Sequence, residues 1–475
     1  MMNFTKKARQ ILVFVMAIVL LSSVFGACKK DDGPQYDDQG RIMITFAGRG
    51  LDSEKNNYSR FINDFMESND DIYVDIEWRA SEDAHNSYLA NSKAKDLPTI
   101  FMLDNRQFIP YASAGKLYDM SDSVAEEELD VIYEDSHDIY WWDDTTKMRG
   151  RSSDAKLYGL PKDQGPWVLC YNKELYDRCW KIAYGENSTI EYPDAREPMT
   201  FDSFIQLLET LITPATKAAI SSSLKGIAAY DLETAINSNN ASFFKDNTAK
   251  ESNITSNNFI EAVEFVYELQ NKGLMPSIAT SSSGGYQTFC SGMSLFFYCG
   301  PWDIANFWAG DLDFEFDLMP VLKGNAEGAI ATSRKGSMGY VVSNAASIEE
   351  KEAAVRLARY LAINEQSQRT QYQVGQAIPN VISMTDEYVN DTYNLLAGKN
   401  PSRRIVFTDV VSGQNPKVKG KFEAAAYTYS SSWLDSFNEY LRTSGVWTGD
   451  VSVSKAMNDY NSTLQSALTE MQYQL

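Results

Sequence analysis

From Ile42 onward the chain alternates short apolar runs with longer stretches whose apolar residues recur every three or four positions. Residues 42–46 form a run of strand length, followed by the glycine-rich Ala47-Gly48-Arg49-Gly50. Across residues 57–68, Tyr58, Phe61, Ile62, Phe65 and Met66 fall on one helical face. Residues 72–78 alternate as a strand, 83–95 read as a helix, and Leu97-Pro98 stops it before a buried strand at 99–103. This opening predicts a mixed sheet flanked by helices. Further strands are predicted at 167–171, 225–230, 293–299, 314–320 and 337–343. Helices are predicted at 204–212 behind an N-cap at Thr200, at 259–272 before Gly273, at 347–364 and at 454–475. Residues 281–285 read as a flexible loop.

Residues 157–173 organise the rest. Tyr158-Gly159-Leu160-Pro161 is extended and ends in a breaker; Gly165-Pro166 is a second breaker before the apolar run from Trp167 to Tyr171. Lys162, Asp163 and Gln164 lie between the two, in a polar loop joining structured halves, where a cleft would place ligand groups. Asp104, Asn105 and Arg106 follow the 99–103 strand, and ligands gather outside such strand ends; the competing reading is a helix cap. Trp141-Trp142 beside two acids is either a sugar platform or a packing plug.

A length of 475 residues exceeds one ordinary core and predicts two lobes. The net charge of −21 repels nucleic acid, so no nucleic-acid partner is expected. Only His85 and His137 are present, which starves a triad or a metallohydrolase of its usual base and ligands. Cys170, Cys179, Cys290 and Cys299 form no C-x-x-C pair and have no histidine near them; neither a metal nor another cofactor is expected, and their spacing leaves any disulfide pairing open.

The N-terminus carries Lys6, Lys7 and Arg9, then an apolar stretch over 11–21, then Ser22-Ser23-Val24-Phe25-Gly26-Ala27-Cys28. This reads as a signal peptide over residues 1–27. Phe25-Gly26-Ala27-Cys28 resembles the bacterial lipobox, which implies lipidation at Cys28 (palmitate among the acyl groups) and a tether over residues 28–40. The competing reading is an ordinary signal peptide followed by a stray cysteine.

Five stretches in order carry a family likeness: Leu97-Pro98-Thr99-Ile100-Phe101; Tyr158 to Pro161 leading to Tyr171-Asn172-Lys173; Pro198-x-Thr200-Phe201-Asp202-x-Phe204; Phe289-x-Ser291-Gly292 with Gly300-Pro301-Trp302; and the helix from Ser347 through Gln376-Ala377-Ile378-Pro379. Together they resemble the bacterial extracellular solute-binding proteins of ABC sugar importers, the group containing maltose-binding protein. The resemblance implies an α/β, two-lobe periplasmic-binding-protein-like (type II) fold with a ligand cleft between lobes and three hinge crossings. Those crossings fall near 160–164, 333–337 and 377–382. Lobe one would be 41–160 and 337–379, and lobe two 161–336 and 380–475. It further implies a monomeric, extracytoplasmic binding lipoprotein, not an enzyme, held to the cell membrane by its anchor and delivering carbohydrate, an oligosaccharide above all, to ABC transporter permease subunits.

Sugar recognition needs an aromatic face against the pyranose C–H face and planar polar groups for hydroxyls. Trp302 matches a sugar-contacting tryptophan of the family; Trp167 and Trp433 are further aromatic candidates. Asp163, Asp104, Asn105, Arg106, Arg49, Gln376 and Asp303 are the polar ones. Each competes with a role in packing, capping or ion pairing. Competing functions are the same fold with a peptide or polyamine ligand, a glycan-binding surface lipoprotein without an importer, and a two-carboxylate glycoside hydrolase.

Overall fold

The computed structural model describes residues 33–278 and 285–474. Cys28, its signal and most of the 281–285 loop lie outside the described residues.

Two sheets anchor two separate hydrophobic cores. The first sheet has the order Ile72–Arg79, Ile42–Arg49, Ile100–Asp104, Met338–Val342, Gly159–Pro161. Its first three strands are parallel, and Met338–Val342 runs antiparallel to both of its neighbours. Helix Asp52–Ser68 lays Tyr58, Phe61, Ile62 and Phe65 against this sheet, a stripe at helical spacing. Helix Ile348–Ala362 covers it as well, and a reciprocal cap sets its start: Ser347 Oγ accepts from the Glu350 N–H at 3.2 Å and Glu350 Oε2 accepts from the Ser347 N–H at 2.8 Å. Gly48 continues the first strand rather than opening a loop. A Cβ there would meet the Trp78 ring at 2.4 Å, so the indole folds over bare backbone.

The second sheet has the order Phe316–Met319, Val168–Asn172, Ser294–Cys299, Lys225–Ile227. Helices Lys173–Tyr184, Phe201–Leu211, Asn257–Asn271 and Val453–Gln472 bury their apolar faces in the core around it. Cys170, Cys179 and Cys299 are free, buried thiols of that core.

Among the segments that run between the two cores are 162–167, 333–338 and the one around Asn380, besides 129–132 and 422–426. Residues 162–167 run beside 333–338: the Lys162 N–H donates to the Met338 carbonyl at 2.8 Å, and the Gly336 N–H to the Gly165 carbonyl at 3.1 Å. The third is stapled by the buried Asn380, whose Nδ2 donates to the carbonyls of Pro161, Lys162 and Ala362 at 3.0, 3.2 and 3.2 Å. Beside them Ala331–Lys335 pairs in parallel with Val418–Phe422. Among the described residues no helix is long and apolar enough to cross a membrane.

Candidate functional site

The two sheets turn matching edges toward one cavity. From the first sheet, Arg49 and Asp104 end parallel strands, Lys162 and Asp163 follow Gly159–Pro161, and Ser337 and Met338 begin the antiparallel strand. From the second, Trp302 follows the end of Ser294–Cys299, and Trp167 precedes the start of the antiparallel Val168–Asn172. All of these side chains line a cavity of about 390 Å³. Strand ends at a change of direction are where open α/β sheets leave a crevice.

A ladder of ion pairs forms one wall. Arg106 grips Asp104 with two bonds, Nε to Oδ1 and Nη2 to Oδ2, both at 3.0 Å, and Nη2 also reaches Glu82 at 2.5 Å. Its Nε lies 3.2 Å from Glu423, whose other oxygen lies 3.3 Å from Arg334 Nη1; Arg334 Nε in turn lies 3.3 Å from Asp231. Arg49 meets Glu82 at 3.2 Å, and Lys162 meets Asp163 at 2.6 Å. Burial alone would raise Asp104, but the Arg106 guanidinium outweighs it and holds the carboxyl below its usual range. At Glu423 burial wins over Arg334 and Arg106, and its pKa is raised. Burial also works against the charge of Lys162, yet Asp163 beside it leaves the ammonium above its ordinary value.

The other wall is aromatic. Trp167 stacks on Tyr298 with ring centroids 4.7 Å apart at 3°, carries the Arg334 guanidinium 5.2 Å from its ring centre, and meets Trp302 edge-on at 4.6 Å and 81°. Tyr298 and Arg334 thus flank the Trp167 ring; Trp167 and Trp302 are both half-buried, and both line the cavity. Gly300 makes this possible, because a Cβ there would lie 2.3 Å from the Trp302 ring.

Of the residues expected from sequence, Arg49, Asp104, Arg106, Asp163, Trp167 and Trp302 come together around this cavity. Four do not line it. Trp433 is 2 % exposed, packs edge-on against Phe243 and Phe244, and donates its Nε1–H to Thr428 Oγ1 at 3.0 Å; it is a core residue. Asp303 is buried and accepts the Gly300 N–H at 2.9 Å, fixing the turn that carries Trp302. Gln376 is buried, accepts from Asn57 and donates to Glu54 Oε1, each at 3.0 Å, so it orients a lining residue instead of being one. Asn105 is buried, and its carbonyl accepts from Arg149 at 2.8 Å. Trp142 is a core plug of the first unit.

Glu54, Glu82, Lys162, Arg334, Ser337, Met338 and Glu423 also line the cavity. Nothing local distinguishes Glu54 and Glu82 from other acids in helix first turns, and Glu423 reaches the cleft only through pairing of strands more than eighty residues apart. Lys162 had a signal, its place in the crossing between the two breakers. A larger cavity, about 460 Å³, lies beside Tyr230, Met275, Leu441 and Trp447. It is walled by the second core and its neighbours alone, so no movement between the cores would close it. Neither histidine lines the cleft: burial pushes both down to about 4 and keeps them neutral. Among the described residues, no group of three or more His, Cys, Asp or Glu is placed to hold a metal ion.

Two α/β units joined by crossings around a cleft are the architecture of a two-lobe periplasmic binding protein. The chain belongs to the family described as bacterial extracellular solute-binding protein, whose model matches residues 60–394. It is 22% identical over 395 residues to the galactooligosaccharide-binding protein of Bacillus subtilis (strain 168), covering 80% of this chain and 83% of that one. In structure it is similar to an ABC substrate-binding protein of Listeria monocytogenes in complex with cycloalternan (TM-score 0.70, 19% identity, 90% of this chain and 99% of the other). A maltose-bound binding protein of T. maritima is similar too, with TM-score 0.66, 16% identity and the same coverage.

Proposed function

We propose that this protein captures a carbohydrate, an oligosaccharide above all, in the cleft between its lobes and hands it to an ABC transporter permease. The observation that carries the reading is the pairing of the Trp302 indole with a wall of fixed, hydrogen-bonding charged groups around one cavity. An indole offers a flat apolar surface to the C–H face of a pyranose; carboxylates and guanidiniums offer planar acceptors and donors to its hydroxyls. The ligands for which the relatives are named or with which they were solved, galactooligosaccharide, cycloalternan and maltose, support the same class.

Lobe one comprises 41–160 and 337–379, with Ile132, Tyr133, Tyr372 and Ile378 reaching into the core of lobe two; lobe two comprises 161–336 and 380–475, with Phe422 and Ala426 reaching into the core of lobe one. Ligand touching both walls favours the closed arrangement over the open one, and the permease reads the closed form. No bond is made or broken. Trp302 is the stacking surface, with Trp167 behind it, and Arg49, Asp104, Arg106 and Asp163 hold hydroxyls. Cys28, lipidated after removal of residues 1–27, anchors the monomer to the cell membrane through the 28–40 tether.

A thermal-shift screen against neutral oligosaccharides, oligopeptides and polyamines tests the ligand class. A rise in midpoint with at least one saccharide and with no peptide or amine is expected. Stabilisation by a peptide or amine alone would overturn the carbohydrate reading.

A further inference from the structure

The charges around the cleft are not independent binding groups. Each cation lining it already holds a carboxylate: Arg106 holds Asp104, Glu82 and Glu423; Arg334 holds Glu423 and Asp231; Arg49 holds Glu82; Lys162 holds Asp163. Glu54 also lines the cavity; its hydrogen bonds come from neutral groups, Gln376 Nε2 at 3.0 Å and the Leu51 N–H at 3.2 Å, and Lys162, already bonded to Asp163, is the cation that feels its charge. The lining therefore carries five carboxylates against four cations, and each cation already faces a carboxylate, although Arg49 Nε and Arg334 Nε keep an N–H without a hydrogen-bond partner.

We propose that the cleft selects an uncharged saccharide and rejects acidic ones, uronates and phosphorylated sugars alike. This inference rests on the carbohydrate reading above and adds the charge class of the sugar. An acidic substituent would either sit beside unpaired negative charge or have to displace a carboxylate from a two-bond grip such as that of Arg106 on Asp104. Like charges juxtaposed in a desolvated site act against binding. Hydroxyls meet no such conflict. A carboxylate oxygen with spare lone pairs accepts from a hydroxyl while keeping its arginine, and a guanidinium N–H not aimed at a carboxylate donates to one.

The test is calorimetric titration with matched pairs: neutral gluco- and galacto-oligosaccharides, each beside its uronate counterpart of equal length and linkage. The neutral member of at least one pair binds, and its uronate partner binds at least about tenfold more weakly. In Glu82→Gln, which removes the carboxylate shared by Arg49 and Arg106, that ratio narrows, because both guanidiniums gain room for an outside anion. Uronates binding as tightly as their neutral partners, or a ratio unchanged in Glu82→Gln, would overturn the inference while leaving the carbohydrate reading in place. Binding of no saccharide of either kind would overturn both.

Discussion

Gly165 and Gly336 show how single residues set the joint between the lobes. Gly165 has φ +53°, in the left-handed region, and a Cβ there would lie 1.4 Å from the Gly336 carbonyl oxygen. That is backbone, which cannot swing aside. The two crossings touch through bare glycine, which lets Trp167 and Arg334 emerge side by side from adjacent segments. Gly165→Ala should therefore destabilise the protein by about 1–3 kcal/mol or more, read as a shift of the urea midpoint; an unchanged midpoint would mean that the crossings separate freely. The same scale explains what could and could not be read from residues alone. Trp302 was legible because a strand end, a glycine and a proline precede it, a pattern that delivers a side chain to a cleft rim. Trp433 lies on an amphipathic helix and carries no such mark, and the helix buried it.

At the scale of elements, most strands and long helices were legible because their periodicity is strong. The 72–78 strand, the 347–364 helix and the 454–475 helix appear as Ile72–Arg79, Ile348–Ala362 and Val453–Gln472. What periodicity did not reveal was Ala331–Lys335 with Val418–Phe422, a pairing of two polar pentapeptides. Its stability comes from partners distant in sequence, and it brings Glu423 to the cleft. The Asn380 staple belongs to this scale too. Its amide alone ties the carbonyls of Pro161, Lys162 and Ala362, and Gln164 Nε2 donates to its Oδ1 at 3.3 Å. Asn380→Ala would leave buried carbonyls unpaired, at a cost of about 1–3 kcal/mol. Chemical denaturation should show that loss, and hydrogen exchange should show faster opening at 160–164; native exchange rates there would argue that the third crossing is tied elsewhere.

For the whole molecule, the arrangement of buried acids gives a pH signature. Burial raises Asp303 from its ordinary 3.8 to about 7, and raises Glu233 from 4.5 to about 8 against the pull of Arg334. A carboxyl whose pKa is higher in the folded than in the unfolded state holds a proton that unfolding releases, so stability falls as pH rises between the two values. These two groups should lower stability progressively from about pH 4 to about pH 8. Asp104, held low by Arg106, acts in the opposite sense: its contribution is present at neutral pH and is lost as acid protonates it. His85 and His137, held by burial at about 4 against their ordinary 6.5, gain stability as pH rises toward 6.5 and offset the two carboxyls over that range. Thermal midpoints should therefore fall mainly between about pH 6.5 and 8, and Asp303→Asn should remove its share of the loss up to about pH 7. A midpoint that rises steadily from pH 5 to 8 would contradict that balance.

The claim on which the rest depends is that ligand is held in the cleft against Trp302. Calorimetric titration of wild type, Trp302→Ala and Trp447→Ala with the oligosaccharide that most stabilises the wild type tests it most directly, because Trp447 lines a second cavity, which shares no lining residue with the cleft and is more apolar in its walls. Loss of a central aromatic anchor costs about 2 kcal/mol or more, so Trp302→Ala should bind on the order of thirtyfold more weakly while Trp447→Ala matches the wild type. Wild-type affinity in Trp302→Ala together with weakened binding in Trp447→Ala would place the ligand outside the cleft and contradict the account.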